Sequence, residues 1–121
     1  MKMNDNICTL QKIKKTVKKF VTERDWIKYH TPRNLAESIC IESAELLETF
    51  QWSLNDNNKK NVSFNFQNSN ISDELADILI YCISLSNTLE IDITQTILNK
   101  IRKNKRRYPI KKFKGRLGKN K

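Results

Sequence analysis

LAESICIESAELLETFQW, Leu35 to Trp52, decides the reading of this chain, together with its distant echo Glu74-Leu75-Ala76-Asp77. Glu42 and Glu45 lie three residues apart, and so do Glu74 and Asp77. On an α-helix that spacing sets two carboxylates side by side on one face. Both pairs sit in apolar helical sequence: Glu42 and Glu45 among Ile41, Ala44, Leu46 and Leu47, and Asp77 just before Ile78-Leu79-Ile80. Half-buried like charges repel and raise each other's pKa. No Lys or Arg stands between Arg33 and Lys59 to pair with Glu37, Glu42, Glu45 and Glu48. Four carboxylates from two facing helices make an oxygen-rich site that suits a hard divalent cation, Mg²⁺ above all. The bland alternative, solvated acids beside an apolar stripe, suits one such pair better than two.

Outward from that stretch, the chain reads as helices. Leu10, Ile13, Val17, Phe20 and Val21 recur at helical spacing with lysines on the other faces, which predicts a first helix over about 5–23. Residues 23–30 break the period. Thr31 followed by Pro32 is an N-cap with proline at the first helical position, so a second helix is expected from Pro32 to about Trp52. Trp26, Tyr29, His30 and Trp52 bracket it with flat rings, suited to stacking on a nucleobase or equally to core packing. Residues 53–70 hold seven asparagines and predict a long loop. Asn70 to Ser72 offer caps for a third helix running to about Leu89, apolar nearly all round and therefore central or in a subunit interface. Asp92 or Thr94 opens a fourth helix, and Pro109 ends it after Tyr108. The tail from Ile110 is expected to be disordered when alone.

With two Gly and two Pro in 121 residues, an all-β fold is disfavoured, and the length fits one domain. Cys8, Cys40 and Cys82 are scattered, without CxxC spacing, and read as reduced, buried residues of an intracellular protein. The N-terminus is Lys-rich and amphipathic rather than a signal-peptide core, and Ile78 to Ile83 is too short an apolar run to span a bilayer. A cytoplasmic protein without a membrane partner is therefore expected. The net charge of +10 is a C-terminal property: residues 100–121 carry twelve basic side chains and no acid, the rest eleven basic and thirteen acidic. That implies a polyanionic partner, a phosphate-rich ligand or a solvated tail.

Four ordered blocks, ERDWIKYHTPRNL, ESAELLETFQW, ELADILIYCISLS and KIRKNKRRYP, resemble the MazG-like nucleoside triphosphate pyrophosphohydrolases, nearest to their dCTP pyrophosphatase branch. The resemblance covers about residues 20–110. It implies an all-α fold, a four-helix MazG-like bundle over 1–110 with a basic tail over 111–121, assembled through helix–helix subunit interfaces as a homodimer or homotetramer. It implies hydrolysis of a nucleoside triphosphate, dCTP or a modified dCTP, to monophosphate and pyrophosphate with Mg²⁺. The family's ExxE and ExxD fall on Glu42, Glu45, Glu74 and Asp77, the expected metal ligands. Glu48 is expected as a further ligand or the base for water, with Glu45 also catalytic. Trp26, His30 and Trp52 would shape the nucleoside pocket, and Tyr81 would touch the nucleotide. Lys100, Asn104, Arg107 and Tyr108, in the family's KxxxNxxRYP block, would meet phosphates or sugar. Two features depart from the family pattern: the Asn-rich spacer between the acid pairs, and the tail over 111–116. The rival reading is a helical module that binds nucleic acid through its basic tail. It has no helix-turn-helix pattern or aromatic RNA-binding motif and leaves the embedded acids unexplained, so nucleic acid is not a required partner.

Overall fold

The computed structural model of the chain describes residues 2–51 and 69–116, without the side chain of Ser69. The described residues are all-α, with four main helices: α1 (Leu10–Glu23), α2 (Pro32–Glu48), α3 (Ser69–Leu89) and α4 (Ile93–Arg107). A 3-10 turn, Ile27–Tyr29, stands between α1 and α2, and a short α5, Ile110–Phe113, follows α4. The chain divides into two compact units, Met1–Glu90 with α1 to α3 and Ile91–Lys121 with α4 and α5.

Helix starts follow side-chain caps. Thr31 accepts from the Asn34 N–H and Pro32 takes the first helical position, as its sequence predicts. Asp92 caps α4 by accepting from the Gln95 N–H, and Tyr108 closes that helix before Pro109. Other boundaries move. Helix α1 begins at Leu10 rather than near residue 5, because Thr9 accepts from the Lys12 N–H, while Asn4 turns the preceding residues by accepting from the Ile7 and Cys8 N–H groups. Helix α2 ends at Glu48, and the next three residues close tighter i→i+3 turns. Trp52 and residues 53–68 of the expected loop lie outside the described residues. Helix α3 already includes Ser69 and Asn70, so the expected caps are its first turn. The start of the tail is helical: the Lys112 and Phe113 N–H groups donate to the Pro109 carbonyl, and Phe113 meets Tyr108 edge to face at 5.1 Å.

In the first unit α3 is central. Helix α2 packs along it, and α1 packs on it more lightly. Leu35, 1 % exposed, anchors α2, and Val17 and Val21 are buried on α1; burying one such side chain is worth roughly 1.5–3 kcal/mol. The buried positions of α3 are small, Ser84 and Ser86. Asn87 ties α3 to α1 by donating its amide N–H to the Lys14 carbonyl at 3.1 Å. Large apolar side chains stay open on the same helices, Leu47 at 70 % and Leu79 at 50 % exposure. For that reason the cysteines are not buried as expected. All three are free, but Cys40 on α2 and Cys82 on α3 are exposed, and Cys8, ahead of α1, is half-buried. Asp25 and Glu90 take left-handed backbone (φ 55° each) just after α1 and α3, where helices turn out of register. Among the described residues no helix is long and apolar enough to cross a membrane.

Candidate active site

The two acid pairs meet where α2 packs on α3. Glu42, Glu45 and Glu74 each bring a carboxylate oxygen to within 4.8 Å of the others. Asp77 stands outside that tight group but close enough for its charge to act on Glu42 and Glu74. Glu42, Glu74 and Asp77 are half-buried, whereas Glu45 and Glu48 are exposed.

The carboxyls are electrostatically frustrated. Glu42 is pushed up to about 7, first by removal from water, then by a hydrogen bond with the Glu45 carboxyl and by the charges of Glu45, Asp77 and Glu74. Glu74 is raised by burial, then by Glu45, Asp77, Asp73 and Glu48, so Glu48 faces the same cluster. Glu42, Glu45 and Glu74 make no ion pair among the described residues. Of the α2 acids, only Glu37 has an ion pair among the described residues: Arg33, one turn before it, approaches at 3.8 Å. Glu42 Oε2 and Glu74 Oε2 are shielded from solvent with no hydrogen-bond partner among the described residues. Anionic oxygens in that state are costly unless a positive charge meets them. An all-oxygen donor set with two orphaned oxygens fits a hard divalent cation.

Beside the acids lies a pocket of about 310 Å³ lined by Trp26, Tyr29, His30, Asn34, Ser38 and Tyr81, among others. The structure thus brings Trp26, His30 and Tyr81 together, with the His30 and Tyr81 rings 6.3 Å apart. Ser38 is one turn before Glu42, and Tyr81 one turn after Asp77, so both helices run from acids into the pocket. The wall ahead of α2 is shaped locally. Trp26 packs edge to face on Phe20 at 5.7 Å, and the Asn34 amide donates to the Tyr29 carbonyl at 3.0 Å. Burial lowers the His30 pKa, which favours the neutral imidazole. Asn34 and Ser38 join the pocket without having been expected there; the signal for them is their i, i+4 spacing back from Glu42. Lys100, Asn104 and Arg107 follow one another at i, i+4 and i+7 on α4 in the second unit, where the Arg107 guanidinium lies 5.5 Å from the Tyr108 ring centre.

Among the described residues, then, an all-helical fold brings Glu42, Glu45 and Glu74 together beside an aromatic pocket. Residues 37–119 match the MazG-like family, and the chain belongs to it. It is 36% identical over 102 residues to dCTP pyrophosphatase 1 of Bos taurus, and 35% over 101 residues to dCTP pyrophosphatase 1 of Homo sapiens. Each match takes in 84% of this chain but only 60% and 59% of those proteins, so the chain spans about three fifths of their length. The crystal structure of a pyrophosphatase from Archaeoglobus fulgidus superposes with a TM-score of 0.75 at 36% identity, covering 89% of this chain and 99% of that one.

Proposed function

We propose that this chain is a Mg²⁺-dependent pyrophosphohydrolase that converts a nucleoside triphosphate, dCTP or a modified dCTP, to the monophosphate and pyrophosphate. The observation that carries this reading is the pair of orphaned oxygens, Glu42 Oε2 and Glu74 Oε2, in a three-carboxylate cluster beside the Trp26–His30–Tyr81 pocket. Glu42, Glu45, Glu74 and Asp77 would hold the metal, which when bound would supply positive charge to offset that of the phosphate oxygens. Glu48, one turn beyond Glu45 and open to solvent, orients the attacking water and takes its proton. The aromatic pocket holds the nucleoside by stacking. On α4, Lys100 and Arg107 offer charge-assisted hydrogen bonds to phosphate, with Asn104 and Tyr108 as further polar groups for phosphate or sugar.

The working form is a homodimer or homotetramer in the cytoplasm. Support for assembly is the apolar surface left open on α2 and α3, Leu47, Leu75, Leu79 and Leu89 among it, more than a lone soluble chain usually shows on one pair of helices.

The test is pyrophosphate release with Mg²⁺ across deoxy- and ribonucleoside triphosphates, with EDTA as control. EDTA-sensitive formation of monophosphate and pyrophosphate is the expected result. Folded, assembled protein that releases pyrophosphate from no nucleotide overturns the reading.

A further inference from the structure

The end of α1 fixes the backbone of Trp26 on both sides. The Trp26 N–H donates to the Val21 carbonyl at 3.1 Å, and the Asp25 N–H to the Thr22 carbonyl at 3.0 Å. Asp25 itself is left-handed, φ 55°. Two such bonds closing over one left-handed residue make a helix-capping turn. Beyond it, the Trp26 carbonyl accepts from the Tyr29 N–H at 2.9 Å and so opens the 3-10 turn. The indole therefore leaves the backbone at a set place, in the wall of the pocket beside the acids.

A fixed backbone still leaves a side chain free to turn, and Trp26 is 42 % exposed. Phe20 holds it. In a capping turn of this kind the residue after the left-handed one often meets an apolar residue in the last turn of the helix. Here that pair is Trp26 and Phe20, with ring centres 5.7 Å apart and planes at 77°. Phe20 is braced in turn: the Arg24 guanidinium lies 3.9 Å from its ring centre and donates to its carbonyl at 3.1 Å. Unlike Val17 and Val21 on the same helix, Phe20 is not buried but 45 % exposed, so its ring is placed for the indole rather than for the core.

We propose that Phe20 and Asp25, with Arg24 behind them, are positioning residues that aim Trp26 into the nucleoside pocket. The proposal rests on the pyrophosphohydrolase reading and goes beyond it in assigning the aim of the indole to the end of α1. None of the three is among the described residues that line the pocket; they act through Trp26. The Asp25 carboxylate has its own partner, Lys28 at 3.1 Å, in the open, where an ion pair is worth little. What the position needs is the left-handed backbone, which Asp tolerates, Gly adopts freely and a β-branched residue resists.

A stacked base is held alike before and during the reaction, so a misaimed Trp26 shows in KM and not in kcat. Phe20→Leu should raise KM for the preferred nucleotide roughly three- to tenfold, part of the worth of one base–ring stack, and leave kcat within about twofold. Asp25→Val should do the same, whereas Asp25→Gly should keep both within about twofold of wild type. A second readout needs no turnover. In a Trp52→Phe background Trp26 is the one tryptophan left; acrylamide quenching of its fluorescence should rise in F20L and D25V and hold in D25G. If F20L and D25V lose only Tm, with KM and quenching as in wild type, the proposal is overturned; D25G raising KM as far as D25V overturns it too. Should D25V fail to fold, F20L decides, since it removes one ring from an exposed position. Wild-type protein that releases pyrophosphate from no nucleotide sinks the hydrolase reading instead, and the quenching series still decides whether the end of α1 aims the indole.

Discussion

Glu42→Gln separates a metal-binding cluster from a merely crowded one. In the folded chain Glu42 holds its proton up to about pH 7, against an ordinary value of 4.5. An acid whose pKa is higher folded than unfolded favours the folded state when protonated. Without metal, therefore, the stability this group contributes is full below about pH 4.5 and is lost as pH rises through about 7. The carboxyl is only half-buried, so solvent screening cuts the effect to on the order of 1 kcal/mol, about 4 °C in Tm for a chain of this size. Glutamine keeps the shape and removes the charge. In EDTA near pH 7.5, E42Q should melt about 4 °C above wild type, and near pH 4.5 the two should coincide. Added Mg²⁺ should reverse the order near pH 7.5, raising the wild-type Tm and leaving E42Q almost unmoved. Circular dichroism melts with and without metal at both pH values read all four quantities. A lower Tm for E42Q in EDTA, or equal stabilisation of both proteins by Mg²⁺, refutes the reasoning.

Other substitutions report on different parts of the molecule. Glu45→Gln and Asp77→Asn should each abolish pyrophosphate release while the helical circular dichroism spectrum persists; wild-type turnover in either variant removes that residue from the metal site. Leu35→Ala should cost about 2–5 kcal/mol in urea unfolding, because no other described apolar side chain is buried as deeply.

Much of the fold was legible because the signals are local. Thr31-Pro32 and Asp92 announce helix starts through groups that the neighbouring backbone N–H groups need, and those caps are where the sequence places them. The convergence of the acid pairs was legible too, since a three-residue spacing on two apolar helices leaves few other arrangements. Burial was harder to read. Cys40 and Cys82 sit in apolar stretches, yet their exposure depends on what covers those faces, and periodicity along one chain does not say. Within the cluster, the letters Glu42, Glu45 and Glu74 are alike; only the packing of α2 on α3 decides which oxygens lose their water. Phe20 was hidden for a related reason. In KKFVTERDW it reads as one more apolar position of α1, and its hold on Trp26 emerges only when the Val21 carbonyl is seen to accept from the Trp26 N–H.

The single face of α3 that carries Glu74, Asp77 and Tyr81 makes that helix a ruler, and rulers fail differently from surfaces. A substitution at one mark alters one reading and leaves the scale intact. One residue inserted between Asp77 and Tyr81 would rotate every later position by about 100° and slide it about 1.5 Å, setting Tyr81 out of phase with the carboxylates at once. Mutational tolerance along α3 should therefore be lopsided: many exchanges of side chain survive, and almost no change of length does.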